Sequence, residues 1–113
     1  MPTPSADTGP LASQFANDAD MVELLDMFIS ELGARSEQLA DLLNARRMDD
    51  LRVVAHQLKG AAGGYGYPSL SEAAGVLESR LSGSPRDVED VLSAVTDLRR
   101  ICDRAIRGHR AAA

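Results

Sequence analysis

The chain has 113 residues, 44% hydrophobic and 26% charged, with a net charge of −5 and a single cysteine. That length suits one domain with one core and no staples, and the composition is globular rather than disordered. The acidic balance argues against nucleic acid as the main partner, because phosphate backbones select basic surfaces. No apolar run approaches the ~20 residues of a membrane-spanning helix. No basic start followed by an apolar core marks a secretory signal. A lone cysteine cannot form an internal disulfide, and it fits a reducing cytoplasm.

Residues 1–9 carry turn and breaker types with almost nothing to bury, which predicts a flexible N-terminal tail. Over residues 10–16, Leu11 and Phe15 share one side of a short predicted helix. The first long helix starts at an Asn17 or Asp18 cap, with Asp18 and Asp20 suited to its positive end. Met21, Leu24, Leu25, Phe28, Ile29, Leu32, Leu39, Leu42 and Leu43 carry its apolar stripe to about Arg46. Gly33 and Ala34 in its middle either allow a close helix crossing, the favoured reading, or weaken the helix.

Met48 and Asp49 form a short turn, which makes the second helix antiparallel to the first. Asp49 or Asp50 caps that helix, and Gly66 ends it as a left-handed C-cap. Pro68 then occupies the first position of helix three, where a missing N–H is harmless. Leu70, Ala73, Ala74, Leu77 and Leu81 form its stripe, and Ser82-Gly83 stops it. Ser84 to Asp87 reads as a capping box, Ser84 capping and Asp87 reaching back. Helix four follows with Val88, Val91, Leu92, Val95, Leu98, Cys102, Ala105 and Ile106 on its stripe, Cys102 as a small core residue. Residues 108–113 read as a fraying tail, and His109 within it receives no function. No segment has the period of a strand. The predicted fold is all-α: an antiparallel up-down-up-down four-helix bundle over residues 10–107, with a short N-terminal helix.

The second helix carries the informative pattern. Leu51, Val54, Ala55, Leu58, Ala61, Ala62 and Tyr65 recur at core-facing spacing, whereas His56, Lys59, Gly60 and Gly63 recur at i, i+3, i+4 and i+7 on the opposite side. Arg52 lies one turn before His56 on that outer face. Each glycine costs roughly 0.5–1 kcal/mol relative to alanine in a helix, so stability alone does not explain two of them. Three accounts compete. His56 is an ordinary surface residue above a fraying helix end. Alternatively it is a metal or haem ligand, although no second ligand lies at i+3 or i+4 and Lys59 repels a cation. Or it is an exposed nucleophile that takes an anionic group from a partner protein, with a cation one turn away and small neighbours for close approach.

His56-Gln57-Leu58-Lys59-Gly60-Ala61-Ala62-Gly63-Gly64-Tyr65-Gly66, followed by Leu70 and Leu77-Glu78, resembles the signature of histidine-containing phosphotransfer (HPt) domains. The flanking helices match that family in length and order, so the resemblance covers nearly the whole chain. Some members carry a glutamine near the phosphate where this chain has Glu78, and no phosphate contact is assigned to Glu78. The resemblance implies a short N-terminal helix that caps the bundle end. It also implies a phosphorelay intermediate: His56 accepts a phosphoryl group from a receiver-domain aspartate or a kinase and passes it to a response-regulator aspartate. Neutral imidazole is a competent nucleophile near neutral pH, and phosphoryl transfer is mainly positioning and charge neutralisation. Lys59 is then the phosphate-stabilising cation, and Arg52, Val53, Gln57, Gly60, Gly63 and Gly64 are the docking positions. The implied partners are receiver domains of response regulators or hybrid sensor histidine kinases, which supply the Mg²⁺. The chain has no P-loop, no dinucleotide-binding glycine motif and no Ser/His/Asp set, so it is expected to bind no cofactor or metal of its own and to be a monomeric carrier, not an enzyme. The alternative function is a four-helix docking module that is never phosphorylated.

Overall fold

The computed structural model describes residues 9–83 and 85–112. Four helices follow one another: α1 (Val22–Asn44), α2 (Met48–Gly64), α3 (Pro68–Ser82) and α4 (Val88–Ala112). Packing runs α1 on α2, α2 on α3, α3 on α4 and α4 back on α1, and the diagonal pairs do not pack. With short connections this ring order is an antiparallel up-down-up-down bundle. Its core is aliphatic: Leu32, Leu39, Leu51, Leu70, Leu77, Leu81 and Leu98 are fully buried. Cys102 is buried among them, and burial pushes its thiol up to about 12, so it packs as a small apolar side chain.

Most of the expected apolar stripes are correct, and two of them, on α1 and α4, are too wide. Leu24, Val88 and Leu92 are exposed, while Ala94 is buried and Ile101 packs partly against the core. At Gly33 an added Cβ would meet only Ile106 Cδ1, at 3.9 Å, so the α1–α4 crossing does not need a glycine there.

Helix ends also moved. The short helical element before α1 is a 3₁₀ turn at Ala19–Met21, capped by Asp18, whose Oδ1 accepts from the Asp20 N–H at 2.9 Å. Residues 10–16 are not helical. α1 stops at Asn44 because Arg46 adopts a left-handed backbone, φ 59°, and its guanidinium donates to the Leu43 carbonyl. The turn therefore occupies residues 45–47 and not Met48-Asp49, and α2 begins at Met48 with no side-chain cap. Asp49 and Asp50 instead lie in its first turn, where negative charge suits the exposed N–H groups. At α4 it is Asp87 that caps, accepting from the Glu89 and Asp90 N–H groups, while the expected Ser84 cap lies outside the described residues. α4 continues through Gly108 to Ala112, beyond the start of the expected tail. There His109 Nε2 lies 2.6 Å from Asp26 Oδ1 and ties α4 to α1.

The segment before α1 straps the end of the bundle. Leu11 N–H donates to the Arg104 carbonyl, and the Arg104 guanidinium donates to the Gly9 carbonyl. Gln14 N–H donates to the Gly66 carbonyl, and Ser13 Oγ donates to the Tyr65 carbonyl at 2.6 Å. Two glycines make the strap possible. A Cβ at Gly108 would overlap the Leu11 carbonyl. Gly66 has φ +81°, and a Cβ there would lie 2.7 Å from Ser13 Oγ and 2.8 Å from Phe15 Cδ2. Phe28 of α1 stacks on Tyr65 and Tyr67, which holds the same α2–α3 turn from within.

Gly66→Ala should therefore destabilise the fold by about 2 kcal/mol or more. The left-handed backbone alone costs an alanine roughly 1–2 kcal/mol, and the strap must also shift. A urea denaturation curve that matches the parent would show that neither the backbone nor the strap constrains this position.

Candidate functional site

The α2–α3 hairpin builds the site. α2 turns its apolar stripe inward, with Leu51, Val54, Ala55, Leu58 and Ala62 all buried. A 3.6-residue period then forces His56 and Lys59 outward. His56 is 71% exposed and Lys59 is 52% exposed. Arg52, Val53, Gln57, Gly60, Gly63 and Gly64 share this exposed side.

The glycines differ in what they face. Nothing lies within 4 Å of a Cβ added at Gly60 or Gly64, so their outer side is open. At Gly63 that Cβ would lie 3.4 Å from Ser71 Oγ, so this position faces α3. Gln57 accepts from Arg35 Nη1 at 3.4 Å, beside a groove of about 190 Å³ between α1 and α2 that Met27, Leu58 and Tyr65 help to line. A larger hollow of about 550 Å³ lies between α3 and α4, and neither His56 nor Lys59 lines it. The imidazole stands on an open face that a second protein could cover, not in a small-molecule pocket.

One partner of His56 escaped sequence reasoning. His56 Nδ1 lies 2.7 Å from Glu78 Oε2, and Lys59 Nζ lies 3.6 Å from Glu78 Oε1. The hydrogen bond with His56 is the largest effect holding the Glu78 carboxyl below its ordinary value; the charges of His56 and Lys59 act the same way, against a desolvation that pushes it up. Glu78 is thus an ionised acceptor at neutral pH. An ionised carboxylate has no hydrogen to give, so in the neutral form of the ring it is Nδ1 that carries the hydrogen and Nε2 that keeps the lone pair. The signal was present in the sequence: His56 stands ten residues before Gly66 and Glu78 twelve after it, so a hairpin folded at Gly66 sets them opposite each other.

Among the described residues, no three His, Cys, Asp or Glu side chains cluster as a metal site. No helix among them is long and apolar enough to cross a membrane. The arrangement is an exposed imidazole, hydrogen-bonded to a carboxylate, with an ammonium one turn away.

Neither the curated proteins nor the solved structures give a match to this chain. A family model does: the Hpt domain model matches residues 23–107, well over half of the chain and spanning α1 to α4. With a four-helix bundle that presents His56 outward from α2, this match shows that the chain belongs to the Hpt domain family, the phosphotransfer modules of two-component phosphorelays.

Proposed function

We propose that the chain is a monomeric cytoplasmic phosphocarrier that takes a phosphoryl group on His56 Nε2 from the aspartyl phosphate of a receiver domain, or from a kinase, and hands it to a response-regulator aspartate. The observation that carries this reading is the 2.7 Å bond between His56 Nδ1 and Glu78, which leaves Nε2 as the nucleophilic nitrogen of an exposed ring. The Nε2 lone pair attacks phosphorus, the N–P bond forms, and the P–O bond to the receiver aspartate breaks with its electrons leaving on the carboxylate. No proton has to depart. The ring gains positive charge, and Glu78, still accepting from Nδ1–H, offsets it. Lys59 meets the phosphoryl oxygens from one helical turn away. The receiver brings Mg²⁺, and its approach is over Gly60 and Gly64, with Arg52, Val53, Gln57 and Gly63 around them. Exposed Val53 and Met27 offer it apolar contact.

Incubation with a phosphorylated receiver and Mg²⁺ should place an acid-labile, base-stable phosphoryl group on His56, located by mass spectrometry. ATP and Mg²⁺ alone should leave the chain unlabelled. Failure of several phosphorylated receivers to label His56 would favour a docking module that is never phosphorylated.

Lys59→Ala should slow transfer about tenfold and shorten the lifetime of the adduct. A hydrogen bond to a charged group is worth roughly 1.5–3 kcal/mol, exposure places this one at the low end, and each 1.4 kcal/mol is tenfold. An unchanged rate with the cognate receiver would reduce Lys59 to solvated surface.

Glu78→Ala removes the group that selects the ring tautomer and offsets its charge, and should slow transfer by about the same factor. Glu78→Gln, whose amide oxygen still accepts from Nδ1–H, should lose less. Equal rates for parent and Glu78→Ala, measured by rapid quench, would remove Glu78 from the mechanism.

A further inference from the structure

Lys59 is held by three residues of one α3 stripe. Ser71, Gly75 and Glu78 stand at i, i+4 and i+7, so they line one side of that helix. Ser71 Oγ donates to the Lys59 carbonyl at 2.8 Å. A Cβ added at Gly75 would lie 3.5 Å from Lys59 Cδ and 3.6 Å from Cε, and beyond the neighbouring backbone of its own helix nothing else would come within 4 Å of it. Glu78 Oε1 lies 3.6 Å from Lys59 Nζ. Main chain, methylene stem and ammonium therefore meet successive residues of the same stripe.

Gly75 is unfavourable in the middle of a helix, and helix approach does not require it, because its neighbours are side-chain atoms of Lys59 and not the α2 backbone. An exposed lysine stem ordinarily samples many rotamers. We propose that Ser71, Gly75 and Glu78 form a cradle that positions the Lys59 ammonium beside His56, with Gly75 leaving open the track in which the stem lies. Gly75 and Ser71 are positioning residues: they act on the phosphoryl group only through Lys59. The consequence for transfer rests on the phosphocarrier reading; the cradle itself does not.

Two substitutions separate the possibilities. Gly75→Ala adds a methyl group at ordinary contact distance from the stem and should retain transfer within about twofold. Gly75→Met keeps good helix propensity but fills the track, and should slow transfer about tenfold, as Lys59→Ala does. In the Lys59→Ala background, Gly75→Met should have no further effect, with circular dichroism confirming the fold of each variant. Transfer by Gly75→Met at the parental rate would overturn the cradle, and so would equal slowing in both backgrounds, which would place the effect on receiver docking. A readout without phosphate accompanies these rates: nuclear Overhauser contacts between the Lys59 ε-methylene and the Gly75 α protons, present in the parent and lost in Lys59→Ala. Their absence from the parent overturns the cradle. A parent that shows these contacts but never takes phosphate on His56 refutes the phosphocarrier reading and leaves the cradle standing.

Discussion

His56→Gln is expected to abolish phosphoryl uptake while leaving the fold almost untouched. Both halves follow from the position of the ring. It is 71% exposed and buries little, so its removal should change stability by less than ~0.5 kcal/mol. Glu78 keeps Lys59 as a charged neighbour at 3.6 Å, so its carboxylate is not left alone. Glutamine has no nitrogen lone pair able to attack phosphorus, so chemistry stops and does not merely slow. Quantitative labelling from one phosphorylated receiver, paired with thermal melts, reads both effects. Label that persists in His56→Gln would sink the assignment, as would label located on His109. His109 is a poor rival on structural grounds: it is only 22% exposed and engaged with Asp26 on the α1–α4 side.

Gly60 provides the second large effect, and here stability and function move in opposite directions. Gly60 is helical, lies one turn from His56, and has nothing within 4 Å of where a side chain would begin. Gly60→Ala should stabilise the fold by about 0.4–1 kcal/mol by restricting the unfolded chain. Gly60→Gln keeps good helix propensity but sets a long side chain between the imidazole and an incoming receiver, so transfer should fall strongly, by at least about tenfold if one docking contact worth roughly 1.4 kcal/mol is lost. The contrast with Gly66 is informative. There the backbone is left-handed and the strap is close, so Gly66→Ala costs stability, whereas Gly60→Ala adds it. If Gly60→Gln transfers at the parental rate, the receiver does not approach over this face.

Local periodicity was enough to read the four helices and the side of α2 on which His56 stands. Four helices, their order and the outward His56 are written in patterns that repeat within a few turns, and a helical wheel reads such patterns directly. Pro68 at the start of α3 and the left-handed Gly66 were equally legible, because each depends on the residue's own backbone limits. Stripe width was not legible. Leu24, Val88 and Leu92 fit the period, but whether an apolar residue at the stripe's edge is covered depends on where the neighbouring helices cross. End positions shifted for a similar reason: Arg46 accepts a left-handed backbone because its guanidinium satisfies the Leu43 carbonyl, which no propensity records.

Which distant residues actually touch was decided by the tertiary structure, even where, as for His56 and Glu78, a hairpin at Gly66 already brings the two stretches together. His56 with Glu78, Lys59 with Gly75, and Gly108 with Leu11 each join residues on different segments, and each depends on the angle and register at which those segments pack. Gly108 shows this most clearly: in sequence it resembles the start of a frayed end, but in the fold it is the low point over which the N-terminal strap crosses α4. Local periodicity carries the side on which a residue stands, and packing of one helix on another carries what it meets there.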